Sequence, residues 1–240
     1  MATYACSDLH GRLDFYNIIK DFIQPEDTVY FLGDAGDRGP DSWATIKAIY
    51  TDPQFICIQG NHEDMLINAW DEYHNGMPYG EDWDLLCQNG GYDTFDEALA
   101  DPGAAALISS IRSLPLIRVY ANTDGINIIM SHSGFTPLWG RSNIIPSTKR
   151  LLIWDRNHLI DKWHEGELEN VIILHGHTPI THINRRGIFK DIEIEPGALW
   201  YADNHKVDID NGSVFSDIGV LFNLDTFDEH IFDLPSIPFI

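Results

Sequence analysis

The chain has 240 residues, of which 44 % are apolar, 22 % charged and 12 % aromatic. That length suits one domain with a small subdomain, and so many aromatic and aliphatic side chains exclude a mainly disordered state. Fifteen Lys and Arg against 37 Asp and Glu leave a net charge of −22, which excludes a broad basic face for DNA or RNA. The same field repels a phosphate ester unless something local reverses its sign. The start, Met1 to Cys6, has neither the basic nor the apolar region of a secretory leader. No apolar run approaches the roughly 18 residues of a membrane helix. Cys6, Cys57 and Cys87 lie far apart with no CxxC pair. They read as reduced thiols of a cytoplasmic protein, Cys6 and Cys57 as buried small hydrophobes.

In chain order, Tyr4 to Ser7 reads as a strand. Arg12 to Ile23 places Phe15, Ile18, Ile19, Phe22 and Ile23 on one helical face, and Pro25 stops it. Thr28 to Leu32 is a continuous apolar strand. Asp41 to Tyr50 is a second helix with Asp41 as its expected N-cap. Phe55 to Ile58 is a third buried strand. This βαβαβ order predicts a parallel sheet covered by helices. Between about 70 and 115 the pattern changes to a helical insertion or cap, its stretch Trp70 to Asp101 acidic and aromatic. Strands resume at Leu116 to Tyr120, Ile126 to Met130 and Val171 to Leu174. After Gly187 short strands and turns follow. Asn211-Gly212 signals a hairpin between Val207–Asp210 and Ser213–Phe215. The tail from Leu234 to Ile240 is apolar but broken by prolines, and is expected to lie across the body.

The polar motifs stand where apolar strands end. They are Asp8-Leu9-His10-Gly11, Gly33-Asp34-Ala35-Gly36-Asp37-Arg38-Gly39, Gly60-Asn61-His62-Glu63, Ser131-His132-Ser133-Gly134 and His175-Gly176-His177-Thr178-Pro179. In an α/β sheet that edge is where sites form. Five strand ends thus bring Asp, His, Asp, Asn, His and His to one rim. Unpaired, each buried polar group costs on the order of 1–3 kcal/mol, and a divalent metal is the natural compensation. Carboxylate, imidazole and amide oxygen suit Mn²⁺, Fe or Zn²⁺, and no cysteine in these motifs supplies thiolate. Six ligands exceed one tetrahedral zinc but fit two ions about 3.5–4 Å apart that share a carboxylate. Singly, each motif has a plainer reading: a turn, a helix N-cap, a satisfied core histidine. Together and in order they point to metal.

This ordered set resembles the calcineurin-like metallophosphoesterases, and within them the serine/threonine phosphoprotein phosphatases. The motifs span residues 7 to 178. The resemblance implies a four-layer α/β/β/α sandwich forming a single catalytic domain over 1–240, with a dimetal site at one edge. It implies one ion on Asp8, His10 and Asp34, and another on Asp34, Asn61, His132 and His177. It pairs His62 with Asp37 as the acid that protonates the leaving oxygen, and gives Arg38 and Arg156 to the substrate phosphoryl group. The nucleophile would be a hydroxide bridging two divalent ions, Mn²⁺ first and Fe or Zn as other choices. Ser7 departs from the family's usual Gly, and Gly36 from a commonly apolar residue. Pro179 stands where broader members carry a second histidine, and Glu63 where dinucleoside polyphosphate hydrolases typically have Asp. Both features favour the phosphatase branch.

The leading expectation is therefore a phosphomonoesterase acting on a phosphoprotein or small phosphoester, without nucleic acid or membrane as partner. The alternatives are a symmetrical dinucleoside polyphosphate hydrolase and a catalytically weak phosphoprotein-binding module. Intact His62, Asp37 and Arg38 argue against the last. His175 is a secondary ligand candidate, and His182 is out of register for a ligand. His74, His158, His164, His205 and His230 read as solvated. Asn89-Gly90-Gly91 reads as a plain turn, with a phosphate-facing turn as the other reading. Trp83, Tyr92 and Trp139 read as packing, with a substrate groove as the other reading.

Overall fold

The computed structural model describes residues 1–137, 145, 148–160, 170–185 and 195–237. Strands β1 (Thr3–Cys6), β2 (Thr28–Phe31) and β3 (Phe55–Cys57) alternate with helices α1 (Leu13–Phe22) and α2 (Ser42–Thr51). β1 pairs parallel with β2, and β2 with β3, as the βαβαβ order predicts. β9 (Ile218–Asn223) and β10 (Glu229–Asp233) join antiparallel on the far side of β1, so the order is β10-β9-β1-β2-β3. The second sheet takes β4 (Ile117–Ala121), β5 (Asn127–Ser131), β6 (Val171–His175), β8 (Lys206–Asp208) and β7 (Leu199–Tyr201) in that order. Its three inner strands run parallel and both edge strands antiparallel.

The two-residue period of each strand sorts its side chains between layers. Tyr4 and Cys6, Val29 and Phe31, and Phe55 and Cys57 face the core under the helices, together with Phe15, Ile19 and Ile46. Ala5, Leu32 and Ile58 face the other way and meet Ile128, Met130, Ile172 and Leu174 of the second sheet. Ile129, Val171 and Ile173 point to the second sheet's outer side, against Phe135, Leu152 and Ile153. Three apolar layers thus separate two helical layers and two sheets, with α7 (Lys149–Ile153) on the outer side of the second sheet.

α3 (Asn61–His74), α4 (Glu81–Gln88), α5 (Tyr92–Ala100) and α6 (Ala104–Arg112) follow β3 without an intervening strand. They enlarge the first sheet's helical layer: Leu66, Leu86, Phe95, Ala98 and Ile108 belong to the same core as Phe15 and Phe31. Trp83 is half-buried against that core, and Tyr92 is 57 % exposed. Trp139, His164 and Gly187 lie outside the described residues, as do Pro238 to Ile240 of the tail.

Two local expectations are corrected. Asp41 occupies the N-cap of α2, but its side chain does not cap; the contact is its carbonyl, which accepts from the Thr45 amide at 2.8 Å. Asn211-Gly212 does not close a hairpin. Gly212, at φ +65°, starts the short helix α9 (Ser213–Ser216) instead. The chain is pulled inward there by polar partners. Asp210 accepts the Gly212 amide at 2.7 Å, and the Ser213 hydroxyl donates to the Asp8 carbonyl at 3.0 Å. A tertiary anchor on the Asp8 loop overrides the local turn signal.

The tail does lie on the body, and a buried cation holds it. Arg12, at the N-cap of α1, has its whole side chain out of solvent. It donates through Nε and Nη2 to the Asp14 carboxylate, and through Nη1 to Asp217 at 2.9 Å. Nη1 and Nη2 also reach the Ser213 and Pro235 carbonyls. Every N–H of the fork has an acceptor, which is what a buried guanidinium requires. Arg12→Leu should cost about 2–4 kcal/mol by urea unfolding, because two carbonyls and two carboxylates lose one shared donor. Unchanged stability would remove the clamp's importance.

Candidate metal centre and active site

The strand ends carry strained loops. Asp8, His10, Asp34, Asp37, Arg38 and His177 all stand at positive φ, between +46° and +72°. Such a backbone costs of order 1 kcal/mol or more per non-glycine residue and persists only where its surroundings impose it. Here the surroundings are other site loops. The amides of Asp8, His10 and Gly11 donate to the carbonyls of Gly33, Asp34 and Ala35. Gly39 passes so close to the first loop that a Cβ would overlap the His10 carbonyl oxygen, and one at Gly176 would overlap Ser7 and Asp8.

Glu63 locks the second loop to the third. Its carboxylate accepts the amides of Asp34, Ala35 and Gly60, each at 2.9 Å. Asn61 and His62 are the first residues of α3, and the His62 amide donates to Asp34 Oδ1 at 2.9 Å. A carboxylate is stabilised there by the free amides of the helix start. Asp8 Oδ2 accepts the His177 amide at 2.9 Å and the hydroxyl of Ser7, so the departure from Gly at position 7 adds a donor to Asp8.

All six ligand candidates are buried and face one another. Asp34 Oδ2 lies 3.2 Å from His132 Nε2, 3.8 Å from His10 Nε2 and 3.9 Å from His62 Nε2. His132 Nε2 also lies 2.9 Å from Asn61 Oδ1 and 3.2 Å from His177 Nδ1. Asp8 Oδ1 is 3.9 Å from His10 Nε2. Two compact donor groups result, one around His10, Asp34 and His62 and one around Asp34, His132 and His177, with Asp34 in both.

The protonation pattern tests whether this set suits cations. His10 Nδ1 faces the Gly36 carbonyl and His132 Nδ1 the Leu32 carbonyl, each at 2.8 Å. With Nδ1 donating, Nε2 of each ring is aimed into the centre, where it has to be bare to serve as a metal ligand. Burial, then Arg38 and His62, hold the His10 ring well below the usual range and so neutral. Burial, then His132 and Arg156, do the same for His177, whose Nε2 is buried without a hydrogen-bond partner among the described residues. Burial lifts the Asp8 carboxyl to about 6, with His132 opposing and Asp34 reinforcing the lift. His132 is the exception. Burial pulls its value down, but the charge and hydrogen bond of Asp34 push it up to about 10. A single proton is thus held among Asp34, Asn61, His132 and His177, a place crowded with lone pairs. Divalent cations fit it better, and Asp8, His10, Asp34, Asn61, His132 and His177 are the residues that would hold them.

Beside the centre, His62 Nδ1 donates to Asp37 Oδ2 at 2.6 Å, leaving Nε2 toward the site. Arg38 donates through Nη1 to His10 Nε2 at 2.6 Å and through Nη2 to His62 Nε2 at 2.7 Å. Asn89-Gly90-Gly91 is a turn that supports Arg38, whose amide donates to the Gly90 carbonyl at 3.0 Å. Arg156 follows α7 and stands near enough to His177 to depress its basicity.

Other residues fall elsewhere. His175 turns away from both donor groups, with Nε2 2.7 Å from the Tyr201 hydroxyl. His158, expected in solvent, is 1 % exposed, with Nδ1 3.1 Å from that same hydroxyl. Packing between Gly134 and His175 overrides its polar sequence context. His74 is exposed, while His205 is half-buried against the Val171 carbonyl and His230 between Tyr4 and Phe22. His182 packs near Phe215, away from the donor groups. The linear reading missed Asp208 and Asp210, both fully buried; burial, then their acidic neighbours Asp210 and Asp8 respectively, raises each well above the carboxylate range. The alternation Val207-Asp208-Ile209-Asp210 at the end of β8 was the available signal.

Because the His132 proton must leave before Nε2 can take a metal, metal uptake should release about one proton at pH 8. Below pH 10 this single group should raise apparent affinity by up to about tenfold per pH unit. Titration calorimetry of Mn²⁺ in two buffers of different ionisation heat reads the proton count. No release would contradict this placement of His132.

The comparisons agree with the geometry. The sequence is 31 % identical over 143 residues to the symmetrical bis(5'-nucleosyl)-tetraphosphatase of Buchnera aphidicola subsp. Acyrthosiphon pisum (strain Tuc7), covering 58 % of this chain and 46 % of that protein. The chain spans about half the length of the curated relatives it matches. In fold it resembles a candidate diadenosine tetraphosphatase, with a TM-score of 0.61 at 14 % identity, covering 97 % of this chain and 93 % of that one. It also resembles a protein serine/threonine phosphatase from Saccharomyces cerevisiae, with a TM-score of 0.58 at 15 % identity, covering 99 % and 81 %. The sequence model of the calcineurin-like phosphoesterases matches residues 1–209, and the chain, with its two Asp34-sharing donor groups, belongs to that family.

Proposed function

We propose that this chain hydrolyses dinucleoside polyphosphates, cleaving a symmetrical dinucleoside tetraphosphate into two nucleoside diphosphates. The juxtaposition of the two donor groups at Asp34 with Arg38 and the His62–Asp37 pair carries the phosphoester chemistry. The substrate class rests on the relatives named symmetrical bis(5'-nucleosyl)-tetraphosphatase. Glu63, which in sequence favours the phosphatase branch, is occupied with three loop amides. Its side-chain length is matched to these loop contacts. Mn²⁺ is the proposed ion, with iron or zinc compatible with the same donors. The proposed compartment is the cytoplasm, where free Cys6, Cys57 and Cys87 stay reduced. No helix among the described residues is long and apolar enough to cross a membrane.

Two divalent ions, when bound, supply Lewis acidity for the phosphoryl oxygens and acidify the attacking water. Arg38 brings two Nη donors that can clamp a phosphoryl group as charge spreads over its oxygens. Arg156 adds a second cation on the His177 side. Locally, these charges reverse the sign of a chain that is otherwise −22. His62 can hold a transferable proton only on Nε2, because its Nδ1–H is committed to Asp37. That leaves Nε2 to protonate the departing oxygen.

The leaving group decides how much this acid matters. A nucleoside diphosphate departs as a stable anion, whereas an alkoxide needs the proton. His62→Ala should therefore lower kcat by about 10²–10⁴ on an alkyl phosphate, and by about tenfold or less on diadenosine tetraphosphate. The function itself is read from Mn²⁺-supported turnover of diadenosine tetraphosphate, phosphopeptides and p-nitrophenyl phosphate. The expected result is the highest kcat/KM on the dinucleotide, with two ADP as product and loss on chelation. A higher kcat/KM on phosphopeptides would replace this reading with a protein phosphatase. ATP plus AMP as products would remove the symmetrical cleavage.

A further inference from the structure

We propose that the groove beside the metal centre, between α3, α4 and residues 149–157, is the subsite for one nucleoside phosphate half of the substrate. This deepens the dinucleotide reading and rests on it. The groove holds about 890 Å³, within the range of sites that bury a ligand of nucleotide size. It adjoins the site at two points. Trp154, in its wall, has its ring 6.1 Å from that of His177. Asp64 and Met65, in the opposite wall, follow Asn61 and His62 on α3.

Its chemistry is of two kinds. Leu85 and Leu151 are each 41 % exposed and both line it, beside Trp154 and the buried Met65. An exposed apolar surface next to an indole ring suits the flat face of a base. Lys149, Arg150 and Arg156 supply three of the chain's fifteen cations to the same groove. Asp64 and Asp155 offset two of these charges, and Asp64 holds the Lys149 ammonium at 2.5 Å across the groove. The result is one net positive charge in a strongly anionic protein. Apolar wall and cations together match a base joined to non-reacting phosphates.

The space that Arg38 itself lines has the opposite character. A cavity of about 510 Å³ there is lined by Asp93, Asp96 and Glu97 of α5. Three carboxylates against the one guanidinium of Arg38 disfavour a polyphosphate chain. Charge complementarity thus places one of the two identical nucleotide halves on the Trp154 side.

Arg150 and Leu151 are exposed at the rim, so Arg150→Gln and Leu151→Asp change the groove without emptying a core. In each variant KM for diadenosine tetraphosphate should rise about fivefold or more, with kcat and the constants for p-nitrophenyl phosphate changing less than about twofold. Binding of ADP to the metal-free protein, followed by tryptophan fluorescence, should weaken by a similar factor, and the signal should be lost in Trp154→Phe. If the wild type cleaves the dinucleotide and both variants keep its KM and ADP affinity, the subsite is wrong and the dinucleotide reading stands. If the wild type cleaves no dinucleotide but ADP binding still depends on Arg150 and Leu151, the substrate reading falls and the nucleotide subsite is supported. Equal losses on p-nitrophenyl phosphate would show damage to the centre and overturn the subsite.

Discussion

The carboxylate of Asp34 is the point on which the structure turns. One of its oxygens accepts an amide from the first turn of α3, at His62, and the other faces three imidazole Nε2 atoms within 3.9 Å. Burial raises the cost of that charge, but His132 and His62 lower it again, so that the carboxyl sits well below its usual range. An anion held so firmly in a dry centre needs positive charge nearby. In this protein that charge is a proton on His132, the guanidinium of Arg38, or divalent ions.

Holding such a centre together costs backbone energy. Six site residues sit in the left-handed region, where only tight surroundings keep a non-glycine residue. The surroundings are assembled from distant parts of the chain. Glu63 binds the Asp34 loop to the start of α3, Ser213 caps the carbonyl of Asp8 from the far end of the sequence, and Gly39 and Gly176 let the loops pass at contact distance. Arg12 extends this tie outward, fastening the α9 region and the tail to the first site loop. Strain at the centre and buried polar anchoring around it are two sides of one arrangement.

The proposed substrate choice rests on parts of the fold that the motifs do not include. The motif residues build the donor groups and the His62–Asp37 pair on which the proposed phosphoester chemistry rests. The walls around the centre carry different charges: residues 149–157 are cationic and apolar, and α5 is acidic. Of the two residues that favour the phosphatase branch in sequence, Glu63 serves the scaffold with its side chain. Glu63 cradles a loop, and the Pro179 carbonyl accepts the His182 amide at the start of α8 (Ile180–Arg185). A residue's identity within a motif is therefore a poor guide to substrate when its side chain faces the loops.

The parallel order of β1, β2 and β3, the apolar faces of α1 and α2, and the presence of polar motifs at the strand ends were legible in the sequence. Each depends on local periodicity or on residues close together in the chain. What the linear order left open was settled by contacts across it. Asn211-Gly212 has the composition of a hairpin turn, yet Asp210 and the Asp8 carbonyl draw it into a helix start. His158 has polar neighbours in sequence, yet it is enclosed by Gly134, His175 and Tyr201. His175 and His177 flank one glycine and look equivalent on paper. Strand β6 ends between them, so one ring goes to the second sheet's outer side, against Tyr201 and His158, and the other, after a left-handed turn, toward Asp34. The sequence by itself determined which chemical groups could meet, because residue type and spacing are local. Only the tertiary structure decided which of them do, because their orientation depends on loops held in place by residues up to 205 positions away.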